Sequence, residues 1–193
     1  MAISSESMQM DWLDGLIDDG VDYVQIRLKH LADGELFRQV WQVVERSEGR
    51  IQVLVNGRAD IARAAGADGV HLPARGVPTH AIRARFPELL VGRSTHCDRE
   101  ISTAARDGAD YVTFSPILPT LSKARYGPPQ GLTGLRSAVG CAGDLPVVAL
   151  GGLDAKDVAD CVETGARGVA GIRVFQDRTT RRCLVQAWEE ARS

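Results

Sequence analysis

The sequence predicts an α/β fold, a TIM (β/α)8 barrel with a short or incomplete first strand. Three observations predict it. Apolar runs of strand length alternate strictly with helical periods, those runs are continuous rather than alternating in polarity, and a glycine-terminated helix-to-strand return recurs four times in 193 residues. Continuous apolar runs mark parallel strands covered on both faces. Strict βα alternation leaves an open doubly wound sheet or a closed barrel. No GxGxxG follows the early strands, and the glycine-rich segments follow the last two, where barrels commonly build a phosphate site, which favours closure.

Only Met1-Ala2-Ile3-Ser4 precedes the first helix, so the first strand is short or incomplete. The four returns pass through Gly20, Gly66, Gly108 and Gly165 and lead into apolar runs at 21–27, 67–72, 109–114 and 166–172. Glycine is favoured just past a helix because it accepts the left-handed conformation required there. Three further runs, 51–55, 89–92 and 146–150, complete the strands that follow the first helix. Spacing near 3.6 residues predicts helices at about 34–47, 58–65, 78–86, 98–107, 132–141, 155–164 and 179–191. At this length, residues 1–193 are expected to form a single domain.

The balance of 23 basic against 25 acidic residues, net charge −2, lacks the electrostatic footprint of a nucleic-acid binder. No apolar run approaches the roughly 20 residues that span a bilayer, and the first residues lack the order of a signal peptide. A cytoplasmic protein with no membrane partner is expected. Cys97, Cys141, Cys161 and Cys183 are scattered, with no CxxC or Cys/His cluster, and read as reduced packing residues rather than zinc ligands or disulfides.

In a barrel, ligands bind just past the strand ends. The residues there are mainly cations and small donors: Gln25, Arg27 and Lys29, then Asn56, then Ser94 with His96, then Thr120, Ser122 and Lys123. With almost no carboxylate among them, a metal site is not expected, since hard divalent cations need oxygen ligands. Gly151 and Gly152 after one strand, and Gly171, Ile172 and Arg173 after the next, are placed to bind a phosphate through backbone amides and one guanidinium. The bland alternative for the glycines is ordinary turn geometry. Segment 115–131, with Pro116, Pro119, Pro128 and Pro129, is too long for a simple connection and reads as an active-site lid whose Thr120, Ser122 and Lys123 take a second anionic group. Arg27 and Lys29 are alternate residues of one strand, so both can face the mouth.

Four histidines compete for an acid/base role. His30 and His80 sit at helix approaches, and His71 lies inside an apolar strand as a hydrogen-bonded core residue. His96 follows a strand end and two hydroxyl residues, and is the candidate catalytic acid/base. No Ser/His/Asp or Cys/His order suggests covalent catalysis.

These residues carry a resemblance. Gln25-Ile26-Arg27-Leu28-Lys29, Gly66-Ala67-Asp68-Gly69-Val70-His71-Leu72, Gly92-Arg93-Ser94-Thr95-His96, Ser115-Pro116-Ile117-Leu118-Pro119-Thr120-Leu121-Ser122-Lys123 and Val148-Ala149-Leu150-Gly151-Gly152-Leu153 resemble, in order, segments of the thiamine-phosphate synthase/TenI superfamily. The resemblance implies a TIM barrel and a small phosphorylated thiazole substrate. It further implies that synthases of the family use magnesium held by aspartates, at positions corresponding to Gly57 and Gly76 here. Asn56-Gly57-Arg58, Leu72-Pro73, Ile82-Arg83-Ala84-Arg85-Phe86-Pro87 and Gly92-Arg93-Ser94 with His96 look more like the TenI branch. The expectation is therefore a metal-independent thiazole tautomerase, an isomerase with His96 as its proton shuttle and no cofactor. The alternatives are a thiamine-phosphate synthase, which would bring Mg2+, and a catalytically silent binder of a pathway phosphate. Assembly into a homo-oligomer stays open at the level of sequence.

Overall fold

Eight parallel strands, in the order β1 to β8, surround a common axis in the computed structural model, which describes residues 1–4, 8–120 and 128–193. The strands are β1 (Ala2–Ile3), β2 (Tyr23–Ile26), β3 (Gln52–Asn56), β4 (Gly69–Leu72), β5 (Leu90–Thr95), β6 (Tyr111–Phe114), β7 (Val147–Leu150) and β8 (Gly168–Ala170). The helices between them are α1 (Met10–Asp18), α2 (Asp33–Ser47), α3 (Ala59–Ala65), α4 (Thr79–Arg85), α5 (Asp98–Arg106), α6 (Gly131–Ala142), α7 (Val158–Glu163) and α8 (Arg178–Ala191). A bridge between Ala2 and Gly171 joins the last strand to the first, with Ile3 N–H donating to the Gly171 carbonyl at 2.9 Å. Of the short or incomplete first strand that the sequence predicts, the structure shows the short one: β1 has two residues and is joined to the chain just past β8 by this bridge.

All four predicted return glycines are left-handed, with φ of 76° at Gly20, 74° at Gly66, 82° at Gly108 and 91° at Gly165. An L side chain at any of them would be strained, which is why these positions punctuate the sequence so legibly. The predicted helix at 155–164 begins as a 3-10 turn, Ala155–Asp157, before α7. Asp154 caps that turn by accepting from Ala155 N–H at 2.8 Å.

The barrel has two cores. The larger lies between the sheet and the helices and includes Leu13, Leu16, Val40, Val53, Val91, Ile101, Val112 and Leu135, all buried. The smaller lies inside the barrel, where Ile3, Leu150 and Ala170 pack with Met1, Val148 and Ile172. This apolar lining belongs to β7, β8 and β1. The opposite half of the interior, on β2 to β6, is polar: Gln25, His71, Thr113 and Ser115 are buried there. A polar interior is tolerated only when its groups are hydrogen-bonded, and among the described residues no buried side-chain nitrogen or oxygen lacks a partner.

At the helical rim, Asp19 and Arg181 are both 3% exposed and joined at 2.7 Å. The same guanidinium donates to the Phe175 carbonyl at 3.1 Å, as does the Trp12 indole N–H at 2.8 Å. This clamp ties α1 and α8 to the turn that follows β8. The cysteines are all free; Cys161 is buried in the core and half-buried Cys141 packs against that core, as expected, whereas Cys97 and Cys183 are exposed.

Candidate active site

Because successive side chains of a strand alternate between faces, the inward residues of β2 to β6 meet at the axis. Gln25 is 2% exposed, and its Oε1 accepts from Asn56 Nδ2 at 3.2 Å. Asn56 Nδ2 also lies 3.4 Å from the His71 carbonyl. His71 bridges Tyr111 Oη, 2.8 Å from Nδ1, and Ser94 Oγ, 2.9 Å from Nε2. The structure therefore joins Gln25, Asn56 and Ser94, three of the predicted site residues, through the core histidine in one polar layer beneath the mouth.

Arg27 and Lys29 depart from their predicted setting. β2 ends at Ile26, so both lie in the connection beyond it rather than on the strand. The ladder stops because Arg27 N–H donates to the Ser4 hydroxyl, at 3.0 Å, instead of to a neighbouring strand. Lys29 is exposed and Arg27 half-buried, and among the described residues no ion pair engages either of them or Arg173.

His96 follows β5. Its Nδ1 is 2.6 Å from the Ser115 carbonyl oxygen, and its backbone N–H donates to Glu100 Oε2 at 2.7 Å. A carbonyl only accepts, so Nδ1 carries the proton and Nε2 is the basic nitrogen of the neutral ring. Glu100, in the first turn of α5, suits the positive end of that helix. His30 is exposed, as expected, and so is His80, 3.3 Å from Asp107.

The glycine turns are built for close packing as much as for a ligand. Gly151 and Gly152 have φ of 109° and 75°. A Cβ on Gly152 would lie 2.8 Å from the carbonyl oxygens of Leu118 and Pro119, so the segment after β6 rests directly on this turn. Leu118 N–H donates to the Gly151 carbonyl at 2.9 Å, which fixes that contact. Gly171 N–H donates to the Met1 carbonyl at 3.3 Å, so this amide serves barrel closure. Ile172 packs its side chain on the apolar interior, and Arg173 is exposed at the start of the Arg173–Phe175 turn. Thr120 is half-buried; Ser122 and Lys123 lie outside the described residues.

The carboxylates near the mouth are engaged. Arg58 binds Asp33 and also Asp60, the latter at 2.7 Å. The Arg58 hydrogen bonds are the main reason the Asp60 carboxyl sits below its ordinary range. Arg93, on the outer face of β5, donates to the Val77 carbonyl at 2.6 Å and the Ala74 carbonyl at 2.8 Å, bracing the β4–α4 loop. Burial lowers its pKa. Asn56-Gly57-Arg58 and Gly92-Arg93-Ser94, which resembled the tautomerase branch, thus have structural work for both of their arginines. The Tyr111 contact with His71 went unread, although Tyr111 and Thr113 share one face of β6, with Ser115 just beyond it in the same period, and that period was the available signal.

The family model for thiamine monophosphate synthase matches residues 1–175. A thiamine-phosphate synthase of Anaeromyxobacter dehalogenans is 41% identical over 157 residues, 81% of this chain and 70% of that protein. A putative thiamine-phosphate synthase 2 of Aquifex aeolicus is 36% identical over 86% of this chain and 89% of its own length. Among solved structures, a thiamine phosphate pyrophosphorylase from Pyrococcus furiosus superposes with a TM-score of 0.89 at 26% identity, covering 100% of this chain and 96% of its own. These names correct the expectation of a tautomerase and of an isomerase: the similarity points to the transferase. The physical reason for the misreading is that the Arg58 and Arg93 motifs hold loops, a scaffold role compatible with either chemistry.

Proposed function

The chain belongs to the thiamine-phosphate synthase/TenI family, and on that premise we propose that it is a thiamine-phosphate synthase, a transferase joining hydroxymethylpyrimidine diphosphate to thiazole phosphate at the carboxyl-end mouth of its barrel. One observation carries the reading. The mouth collects cations outside any described ion pair, Arg27, Lys29 and Arg173, while the nearby carboxylates Asp33 and Asp60 are both paired with Arg58, which leaves one negative charge there against three positive ones. Two anionic substrates and a diphosphate leaving group require that balance.

In the reaction, the thiazole ring nitrogen supplies the electron pair of a new bond to the pyrimidine methylene carbon. The carbon–oxygen bond to diphosphate breaks, and its electron pair leaves with pyrophosphate. Fixed cations beside the departing oxygen stabilise charge as it develops, and we assign Arg27 and Lys29 to that task. The Gly151-Gly152 turn, the backbone at Ile172 and the Arg173 guanidinium take the thiazole phosphate. Ser94, Gln25 and Asn56 line the polar floor, and His96, oriented through Nδ1, turns Nε2 toward the bound pyrimidine as a hydrogen-bond acceptor.

Magnesium, implied by resemblance to the synthases, fits these residues poorly. Gly57 has a φ of 73° and Gly76 would place a Cβ 2.9 Å from Pro73 Cδ, so neither position offers or readily admits a carboxylate. Among the described residues, no group of three or more His, Cys, Asp or Glu is arranged to hold a metal ion. Charge neutralisation therefore falls to the side chains. Purified protein incubated with both substrates should form thiamine phosphate, read by oxidation to fluorescent thiochrome. Absence of product both with magnesium and with chelator would contradict the proposal.

A further inference from the structure

A hydrogen-bonded chain inside the polar half of the barrel decides how the floor of the site faces its ligand. His71 is 2% exposed, with Tyr111 Oη 2.8 Å from Nδ1, Ser94 Oγ 2.9 Å from Nε2 and Thr113 Oγ1 at 3.5 Å from Nε2. The three strands concerned, β4, β5 and β6, are consecutive neighbours, paired His71 to Gly92 and Gly92 to Tyr111. Gly92 is the residue that lets the chain form. A Cβ there would fall inside the Tyr111 ring, so the phenol occupies the space that any side chain at 92 would fill. The bland reading of Gly92, a small residue in a crowded strand, does not explain why the intruding group is a phenol aimed at an imidazole.

The direction of the chain follows from donor and acceptor strength. A neutral imidazole has one donor and one acceptor nitrogen. The phenol is the strongest neutral donor present, and its other neighbour is the Met1 thioether at 3.8 Å, a weak acceptor. Burial raises the Tyr111 pKa, so the phenol keeps its proton. Tyr111 therefore donates to Nδ1, the imidazole proton resides on Nε2, and Nε2 donates to Ser94 Oγ. With Oγ accepting from the ring, the serine hydrogen points elsewhere.

We propose that Tyr111 and His71 are positioning residues that hold Ser94 as a hydrogen-bond donor toward the phosphorylated substrate at the mouth. The substrate class rests on the transferase reading, whereas the tautomer does not. Phosphate oxygens only accept, so a serine held as donor is the useful polarity, and the opposite tautomer would turn its lone pairs to the anion.

Two measurements test this. Imidazole 15N–1H correlation spectra of labelled protein, with His71 assigned by its loss in His71→Gln, should show Nε2–H in wild type. That preference should be lost in Tyr111→Phe, which keeps the ring packing. In the coupling reaction, Tyr111→Phe and Ser94→Ala should each lower kcat/KM about tenfold, the size of one lost hydrogen bond. The double variant should be no worse than Ser94→Ala, because Tyr111 acts through Ser94. An Nδ1–H tautomer in wild type, or additive losses in the double variant, would overturn the proposal. Should wild type not couple the substrates, the transferase reading fails and the spectra decide the positioning role alone.

Discussion

His96 Nδ1 donates to the carbonyl oxygen of Ser115 across 2.6 Å, so the imidazole that follows β5 is oriented by the residue that follows β6. The two termini are adjacent because β5 and β6 pair in register up to Thr95 and Phe114. Asparagine can place an amide near the Nδ1 position but has nothing at Nε2. His96→Asn should therefore unfold close to wild type while losing about tenfold in kcat/KM, the size of one hydrogen bond to the substrates, since the coupling step itself moves no proton. His96→Ala should lose as much activity and about 1 kcal/mol of stability as well. Urea unfolding and steady-state kinetics on the three proteins check this. Full activity in His96→Asn would remove His96 from substrate binding.

The β4–α4 loop resists the carboxylate that a magnesium site there would need. Gly76→Asp forces a Cβ to within 2.9 Å of Pro73 Cδ and 3.1 Å of the Pro73 carbonyl oxygen. The expected cost is about 1–3 kcal/mol, typical of overpacking. Gly57→Asp adds a left-handed L residue at φ 73°, at a cost of about 1–2 kcal/mol. Thermal unfolding of both variants with and without magnesium reads the two effects, and no magnesium-dependent rise in Tm is expected from either.

The Asp19–Arg181 clamp predicts the largest single-site loss of stability. Both side chains are 3% exposed, and Gly15 has no side chain because the Arg181 guanidinium would lie 2.8 Å from its Cβ. Arg181→Met leaves Asp19 buried with Arg178 and Arg182 at 3.7 Å as substitutes. A loss of about 3 kcal/mol is expected, at the low end for a broken buried pair. Denaturant titration that finds less than half of this would show that the two outer arginines take over.

How much of this was legible in the sequence follows from what each feature depends on. Gly20, Gly66, Gly108 and Gly165 could be read because a left-handed backbone is a local demand that only glycine meets cheaply. The strands could be read because their burial makes them continuous apolar runs. Arg27 and Lys29 were misread as strand residues because the end of β2 is set by Ser4, 23 positions away from Arg27. The Tyr111–His71–Ser94 chain needs the register of three strands: the period of β6 places Tyr111 and Thr113 on one face but does not name a partner 40 residues away. Likewise, the attachment of Arg58 to Asp33, and of Arg93 to the Ala74 and Val77 carbonyls, is tertiary, so motifs containing them suggested chemistry where the fold uses them as braces.

The Arg58 bridge also sets a pH signature. Asp60 is held below its ordinary pKa, first by its hydrogen bonds from Arg58. A depressed carboxyl pKa contributes stability that is present above the unfolded value and is lost as pH falls through the folded one. The stability gap between wild type and Arg58→Met should thus be present at neutral pH and narrow as pH falls below about 4, the unfolded aspartate value. Urea midpoints of the pair across that range check the sign. A gap that widens in acid would contradict it.

The most direct test of the account is a paired product measurement on wild type and on the Arg27→Met/Lys29→Met double variant. Thiamine phosphate and pyrophosphate are quantified together after incubation with hydroxymethylpyrimidine diphosphate and thiazole phosphate. The account predicts equimolar products from wild type and a fall of at least a hundredfold in kcat/KM for the double variant, about 2.7 kcal/mol of lost transition-state stabilisation. Wild type that releases neither product, or a double variant as active as wild type, would contradict it.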